Sequence, residues 1–402
     1  MLSRPWFAAA LAGLTVAWAL SVMGPRGPIA SVPEGAHRSV PVQAPPGVAP
    51  PGTRPDEEIP TPVHVPGVEP APEKDVSPER LMETLRALPT RRAAWGDADS
   101  QAGLRATEEL VLARLRELGF QPILQEVDWV GGARERQPWH NIIVELPGAQ
   151  WPEQVLVVGA HIDAVAGSPG ADDNASGVAA LLELARVLRT VPMRRTVRLC
   201  FFNLEEVGLV GSSRYAHELS RQVQEGTAPK PIGMIALDML GFYSTEPNSQ
   251  TWPRLPIRGI KLPRTADFIA VGGLLNNQHF SRPLIEAMRQ AAPEATIFAG
   301  DLLPIAIPDF LRSDHAPFLA MGVPAVLISD TANFRSPHYH RATDTIETID
   351  QARYVAVVRA LVGGVYRVAC ADEVASAVRP KPQSAPAPEP APVDPAPAGP
   401  GR

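Results

Sequence analysis

Two short apolar runs, residues 155–160 (VLVVGA) and 196–203 (TVRLCFFN), constrain the fold more than any other feature of the chain. Each is nearly continuous rather than alternating and is rich in β-branched or aromatic residues. That is the pattern of a strand buried on both faces, which belongs in a parallel sheet covered by helices. Between them, residues 169–177 (PGADDNASG) open a helical pattern, 178–185. The first run stops at His161-Ile162-Asp163 and the second at Leu204-Glu205-Glu206. A third apolar run, within 231–240, leads through Ile235-Ala236-Leu237 into Asp238. Ligands of open α/β sheets gather beyond the carboxyl ends of the strands, so these polar residues are expected to share one site.

Taken singly, each residue has an ordinary explanation. A histidine at a strand end is usually a satisfied polar group. Asp172-Asp173-Asn174 before a helix suits a cap, and Glu205-Glu206 suits a solvated pair. Together, at the ends of successive strands, the carboxylates would repel one another unless a cation neutralised them. Imidazole mixed with carboxylate, without thiolate, selects zinc or a similar divalent ion over calcium or magnesium. Five candidate ligands exceed what one tetrahedral catalytic zinc with an open position needs. They fit two metals sharing a carboxylate.

The rest of the chain places this block in one folded domain, residues 77–371. Of the 45 prolines, 15 lie between Pro25 and Pro78 and nine between Pro380 and Pro400, which marks 24–76 as a linker and 372–402 as a tail. Neither segment carries enough apolar pattern to offset its ordering entropy. Residues 1–23 hold an uncharged apolar stretch from Pro5 to Met23, read as a signal peptide or an N-terminal membrane tether. Either one exports the domain to the cell envelope, the periplasm or the exterior. A net charge of −6 and the lack of a basic stripe argue against nucleic acid. The two cysteines, Cys200 and Cys370, read as unpaired thiols. The sequence carries no reading of oligomeric state.

Within the domain, Ser77-Pro78-Glu79 predicts a capped helix, and a second helix over about 102–118 stops at Gly119. Residues 123–130 and 141–146 predict an antiparallel hairpin at one edge of the sheet. Residues 242–268 lack a period and read as a long loop. A helix over 281–292, short strands at 296–298 and 325–329, a loop over 337–345 and a final helix over 352–368 follow. The expected fold class is α/β: a mixed, mostly parallel twisted sheet, helices on both faces, and a metal site at the strands' carboxyl ends.

Six strings occur in order: Gly159-Ala160-His161-Ile162-Asp163, then 169–177 with Asp173-Asn174, then Glu205-Glu206-Val207-Gly208, Leu237-Asp238-Met239, Ser313-Asp314-His315-Ala316-Pro317-Phe318, and Tyr339-His340 with Asp344-Thr345. They resemble the zinc-dependent aminopeptidases of the bacterial leucyl aminopeptidase type, over roughly residues 80–370. The resemblance implies two zinc ions per chain. His161 and Asp238 would bind one, Glu206 and His340 the other, and Asp173 would bridge them. Glu205 would be general base and then acid for a hydroxide held between the metals, and the Asp173–Asn174 bond resembles one that is cis in this family. Asp163 is placed to accept the other ring N–H of His161, and Asp344 or Asp314 to do the same for His340. His338 is a rival to His340, whose Tyr-His followed by Asp-Thr matches the family. His315 reads as a packing residue. Met239, Phe242, Phe310 and Tyr339 flank the motifs as candidates for a side-chain pocket.

The implied substrate is a peptide or small amide with a free amino terminus, cut at its first peptide bond by an exported metallo-aminopeptidase. Two alternatives share the fold: a single-zinc glutaminyl cyclase, and a receptor-like ectodomain without metals.

Overall fold

Eight strands form one sheet in the order β1-β2-β4-β3-β5-β8-β6-β7. They are β1 (Ile123–Trp129), β2 (Gln137–Leu146), β3 (Trp151–His161), β4 (Arg195–Phe202), β5 (Gly233–Leu237), β6 (Ile269–Leu274), β7 (Ile297–Leu302) and β8 (Ala325–Ser329). The central four, β4-β3-β5-β8, run parallel. β1 and β2 pair antiparallel at one edge, where the sequence predicts a hairpin, and β6 meets β8 antiparallel near the other. This computed structural model describes residues 70–129, 137–253, 262–302 and 308–372. The anchor or signal segment, nearly all of the linker, and the tail beyond Asp372 lie outside the described residues. Among the described residues no helix is long and apolar enough to cross a membrane.

Seven α-helices accompany the strands among the described residues: α1 (Pro78–Ala87), α2 (Ala98–Glu117), α3 (Gly177–Leu188), α4 (Val210–Gln224), α5 (Gln278–Ala291), α6 (Ala316–Ala320) and α7 (Gln351–Cys370). Side-chain oxygens of Ser77, Asp97 and Asp350 cap α1, α2 and α7 by accepting from the third amide on. The Asp97 cap starts α2 four residues before the predicted 102, and Gly119, at φ +86°, ends it as expected.

The unbroken apolar runs have a direct structural reason. On β3, Leu156, Val158 and Ala160 pack with α1, α2, α3, α5 and α7 in the larger core, while Val155 and Val157 pack on the other face. That second core gathers Cys200, Phe202, Met234 and Ala236 from the sheet, Tyr215 and Leu219 from α4, and Phe318 from α6. With both faces apolar, no alternation is left in the sequence. Cys200 and Cys370 are both unpaired.

Three elements carry no prediction above: α4, β6 and the short α6. α4 presents only Gly211, Ser212, Tyr215, Ala216 and Leu219 to the interior, few of them large apolar residues. β6 (IAVGGL) is weakened as a strand signal by Gly272 and Gly273. β7 also runs past the predicted 296–298. Within 242–268 the described residues form no helix or strand.

The approach of β3 to β4 depends on Gly159, where an added Cβ would stand 2.3 Å from Phe202 Cε2 and 3.2 Å from the Cys200 carbonyl oxygen. Gly159→Ala therefore overpacks the sheet just before His161 and is expected to cost about 1–3 kcal/mol. It should lower the urea midpoint at unchanged slope. An unchanged midpoint would mean that the Phe202 ring moves aside freely.

Candidate metal centre

Neighbouring strands deliver the site. His161 is the last residue of β3, paired in register with Phe202 at the end of β4. Glu205 and Glu206 lie in the turn after β4, and Asp238 directly follows β5, the other neighbour of β3. Asp173 lies in the turn 171–176 that leads into α3, and His340 in the loop between β8 and α7. Asp173 divides its carboxylate between the histidines: Oδ1 is 3.3 Å from His161 Nε2 and Oδ2 is 3.2 Å from His340 Nε2. His161 Nε2 is also 3.6 Å from Asp238 Oδ1, and His340 Nε2 is 3.2 Å from Glu206 Oε2. Two compact donor groups result, His161-Asp173-Asp238 and Asp173-Glu206-His340, with Asp173 in both. Glu205 falls in a third group with His161 and Glu206.

These separations suit a cation better than hydrogen bonds. Donors about 2.0–2.1 Å from a tetrahedral zinc stand roughly 3.3 Å from one another. A charged N–H···O⁻ bond would draw them to about 2.7–2.9 Å. Glu206 Oε1 is buried and has no hydrogen-bond partner among the described residues. The residues thus fit the metal that the sequence calls for.

The electrostatics agree. Burial pushes the Asp173 carboxyl up, but the His161 and His340 imidazoles outweigh it and hold the group below the usual carboxylate range. Burial works against a proton on His340, yet Asp173 and Glu206 raise it to about 10, and Glu205, Asp163, Asp173 and Asp238 likewise raise His161. So much negative charge retains protons on imidazoles that a divalent ion would displace. Glu205 is raised well above the carboxylate range, first by burial and then by Glu206 and Asp238, although His161 opposes this.

Residues 141–363 match Peptidase family M28. The chain belongs to that family. It is accordingly an enzyme of the zinc metallopeptidase class. It is 31% identical over 306 residues, 74% of this chain and 90% of the relative, to the Escherichia coli uncharacterized protein YfbL. It is 30% identical over 208 residues to the Bacillus subtilis aminopeptidase YwaD, covering 50% of this chain but only 38% of that protein. The chain thus spans well under half of this named aminopeptidase. In fold it is similar to an aminopeptidase from Aneurinibacillus sp. strain AM-1 (TM-score 0.56, 17% identity, 76% of this chain and 97% of that one). It is similarly close to a glutaminyl cyclase from Fimbriiglobus ruber (TM-score 0.53, 18% identity, 72% and 95%).

The supporting residues of this M28 peptidase partly differ from expectation. Asp163 does stand by the second ring nitrogen of His161, with Oδ1 at 3.4 Å and its carbonyl oxygen at 3.2 Å from Nδ1. Its two carboxylate oxygens also accept the amides of Glu205 and Glu206, each at 3.1 Å, so one aspartate orients both halves of the site. Asp344 accepts the amides of Asp172 (2.9 Å) and Asp173 (3.1 Å) rather than a proton of His340. Asp314, the other candidate for that role, lies beside Ser212 with its carboxyl pushed up to about 7 by burial. The Asp173–Asn174 peptide bond is cis, as in the resemblance.

The rival His338 bonds Thr343 Oγ1 at 3.0 Å and lies edge-on to Phe242, outside every donor group. His315 is buried against Phe310, a packing residue as expected. Of the proposed pocket residues, Tyr339 stacks on the His340 ring at 3.7 Å and its hydroxyl accepts from Arg312 at 3.0 Å. Met239 and Phe310 are buried, and Phe310 packs on the His315 ring. Arg312 had no sequence signal beyond adjacency to a motif; Asn174 lies within the 169–177 string, but nothing in the sequence showed that its amide ties the Asp173 turn to Leu237.

His340→Ala should markedly lower bound zinc measured by inductively coupled plasma mass spectrometry. His338→Ala should leave it near the wild-type level, and the reverse order would exchange the two residues' roles.

Proposed function

We propose that the chain is a two-zinc aminopeptidase that removes the N-terminal residue of a peptide or small amide. The observation that carries this reading is the division of Asp173 between two histidines, which makes two donor groups joined by one carboxylate. His161 and Asp238 would hold one zinc, Glu206 and His340 the other, and Asp173 both. Bound zinc supplies Lewis acidity, polarising a carbonyl and acidifying water.

Glu205 is the remaining acidic group of the cluster. Its burial keeps proton affinity high for a carboxylate, which suits a group that takes a proton from attacking water and returns it to the leaving amine. Glu205 and Glu206 are adjacent in a tight turn, in which Glu205 O accepts the amides of Gly208 at 2.9 Å and Leu209 at 2.8 Å, and it is Glu206 that reaches His340, at 3.2 Å, leaving Glu205 to serve the substrate. Asp163 fixes both amides and thereby the direction of each side chain.

Similarity in fold to a glutaminyl cyclase does not separate the two activities. The donor set favours the hydrolase: a single ion would leave either His161-Asp173-Asp238 or Asp173-Glu206-His340 without a cation to offset its carboxylates. Glu205→Gln preserves shape but cannot carry the proton. It should reduce hydrolysis of aminoacyl substrates by at least about 10²-fold while zinc stays near two per chain. One zinc with cyclisation of glutaminyl peptides would favour the cyclase, and no zinc the receptor-like ectodomain.

We also propose that residues 1–23 export the protein and that the linker up to about residue 70 and the tail are spacers; Glu73, paired with Arg367 at 3.0 Å, and the buried Val76 already belong to the domain. A chain trimmed to residues 70–372, which keeps the Glu73–Arg367 pair, should fold and keep kcat/KM within a few-fold of the full chain, because the site is carried by the sheet and its loops. An inactive but zinc-loaded trimmed protein would show that the linker or tail completes the site.

A further inference from the structure

A fully buried cation lies behind the metal centre, on the segment between α1 and α2, before the span that matches the family. Arg92 is 2% exposed. Among the described residues its hydrogen bonds go to carbonyl oxygens and none to a carboxylate. Nε donates to Ile162 O at 3.2 Å, Nη1 to Pro89 O at 3.1 Å and Pro169 O at 2.6 Å, and Nη2 to Gly170 O. Burial disfavours its charge, while the carboxylates of Asp344, Asp173, Asp163 and Glu206 favour it. A guanidinium is a costly way to fill apolar space. Its placement is explained by what it holds.

Ile162 separates His161 from Asp163, and Pro169-Gly170 precede Ala171-Asp172-Asp173. The planar fork therefore gathers both ends of the loop joining the β3 ligand to the shared carboxylate. Arg92's own carbonyl accepts from Ala164 N at 2.9 Å, fastening the loop a further time. Gly170 makes the approach possible. It has φ +63°, and a Cβ there would stand 2.7 Å from Arg92 Nη2 and 2.4 Å from Asp173 O. From the other side, Asp344 takes the amides of Asp172 and Asp173, and its carbonyl takes that of Ala171 at 3.2 Å. The loop is held between a cation that collects its carbonyls and an anion that collects its amides.

We infer that Arg92 is a positioning residue of the metal centre, setting the separation of His161 and Asp163 from Asp173 by closing the 162–170 loop. The inference rests on the zinc-peptidase reading of that site. Arg92 acts through the loop backbone and touches neither metal nor substrate. Lysine in its place would keep the charge but could not span both loop ends.

The test uses the full chain with Arg92→Met and Arg92→Lys, and Arg91→Met as a reference for a neighbouring exposed arginine. Zinc affinity is measured by competition with a chelating dye, alongside kcat, KM and melting temperature. Loss of an outer partner of metal ligands typically weakens metal binding or activity about 10–100-fold. Arg92→Met is expected to weaken zinc binding in that range and to lower kcat with little change in KM. Arg92→Lys is expected to fold and recover only part of the affinity, and Arg91→Met to match wild type. Should Arg92→Met fail to fold, the lysine variant decides: wild-type zinc affinity and kcat there would overturn the inference. Variants that melt earlier but bind zinc within twofold of wild type would reduce Arg92 to a structural role and leave the zinc-peptidase reading intact. A wild-type chain that binds no zinc would overturn both.

Discussion

The site depends on confining many carboxylates at one end of a sheet. Asp163, Asp173 and Glu205 are buried, and Asp238 and Glu206 lie within ligand distance of the same two histidines. Like charges so close are unstable unless cations and donors are arranged around them. The protein answers at three levels. Imidazoles meet the inner oxygens of Asp173, backbone amides take both oxygens of Asp163, and Arg92 supplies a fixed positive charge behind the loop. A divalent ion completes a balance that the protein alone meets with protons held on His161 and His340.

Such a centre needs a scaffold that does not shift. A strand packed on one face can slide or twist against the other, whereas β3 and β5 are locked by side chains on both. Glycines allow the closest contacts: Gly159 lies against the Phe202 ring and Gly233 against the Phe280 ring, where a Cβ would come within 2.3 Å and 2.2 Å. The same packing that makes the apolar runs continuous sets the strand ends at the spacing the ligands require.

Legibility in the sequence follows from this. The central strands and their terminal His161, Glu205, Glu206 and Asp238 stand out because continuous apolar runs end abruptly in charge. α4 and β6 carried no prediction: the face that α4 buries includes Gly211, Ser212 and Ala216 with few large apolar residues, and a strand with two adjacent glycines has little β signal. Asp344 was legible as a site residue but not in its role, since a carboxylate that binds amides and one that binds an imidazole look alike in sequence. Met239 and Phe310 were named on adjacency alone, and both are buried, Phe310 against the His315 ring. Arg92 gave no signal, because contacts with residues 70 or more positions away are set by the fold.

The turn carrying Glu205 and Glu206 shows how local strain and remote anchoring combine. Leu204 and Leu209 have φ of 63° and 58°, a left-handed conformation that costs a non-glycine residue about 1–3 kcal/mol. Met239 and His340, beside and within the donor groups, share it at 57°. Left-handed residues at these points bend the chain sharply enough to turn ligands back over the strand ends. The bend after β4 persists because its polar groups are met: Asn203 accepts from Leu204 N, donates its own N–H to Asn141 Oδ1 at 2.9 Å and its amide to Glu108 Oε1 at 2.7 Å. Glu108 belongs to α2 and also accepts the His140 amide at 2.8 Å, so helix, edge hairpin and turn are one hydrogen-bonded unit. Gly211 closes it, since a Cβ there would meet Asn203 O at 2.1 Å and Asn141 Oδ1 at 2.5 Å. The antiparallel edge of the sheet thus anchors the turn that presents both glutamates, as the Arg92 segment anchors the loop that presents Asp173.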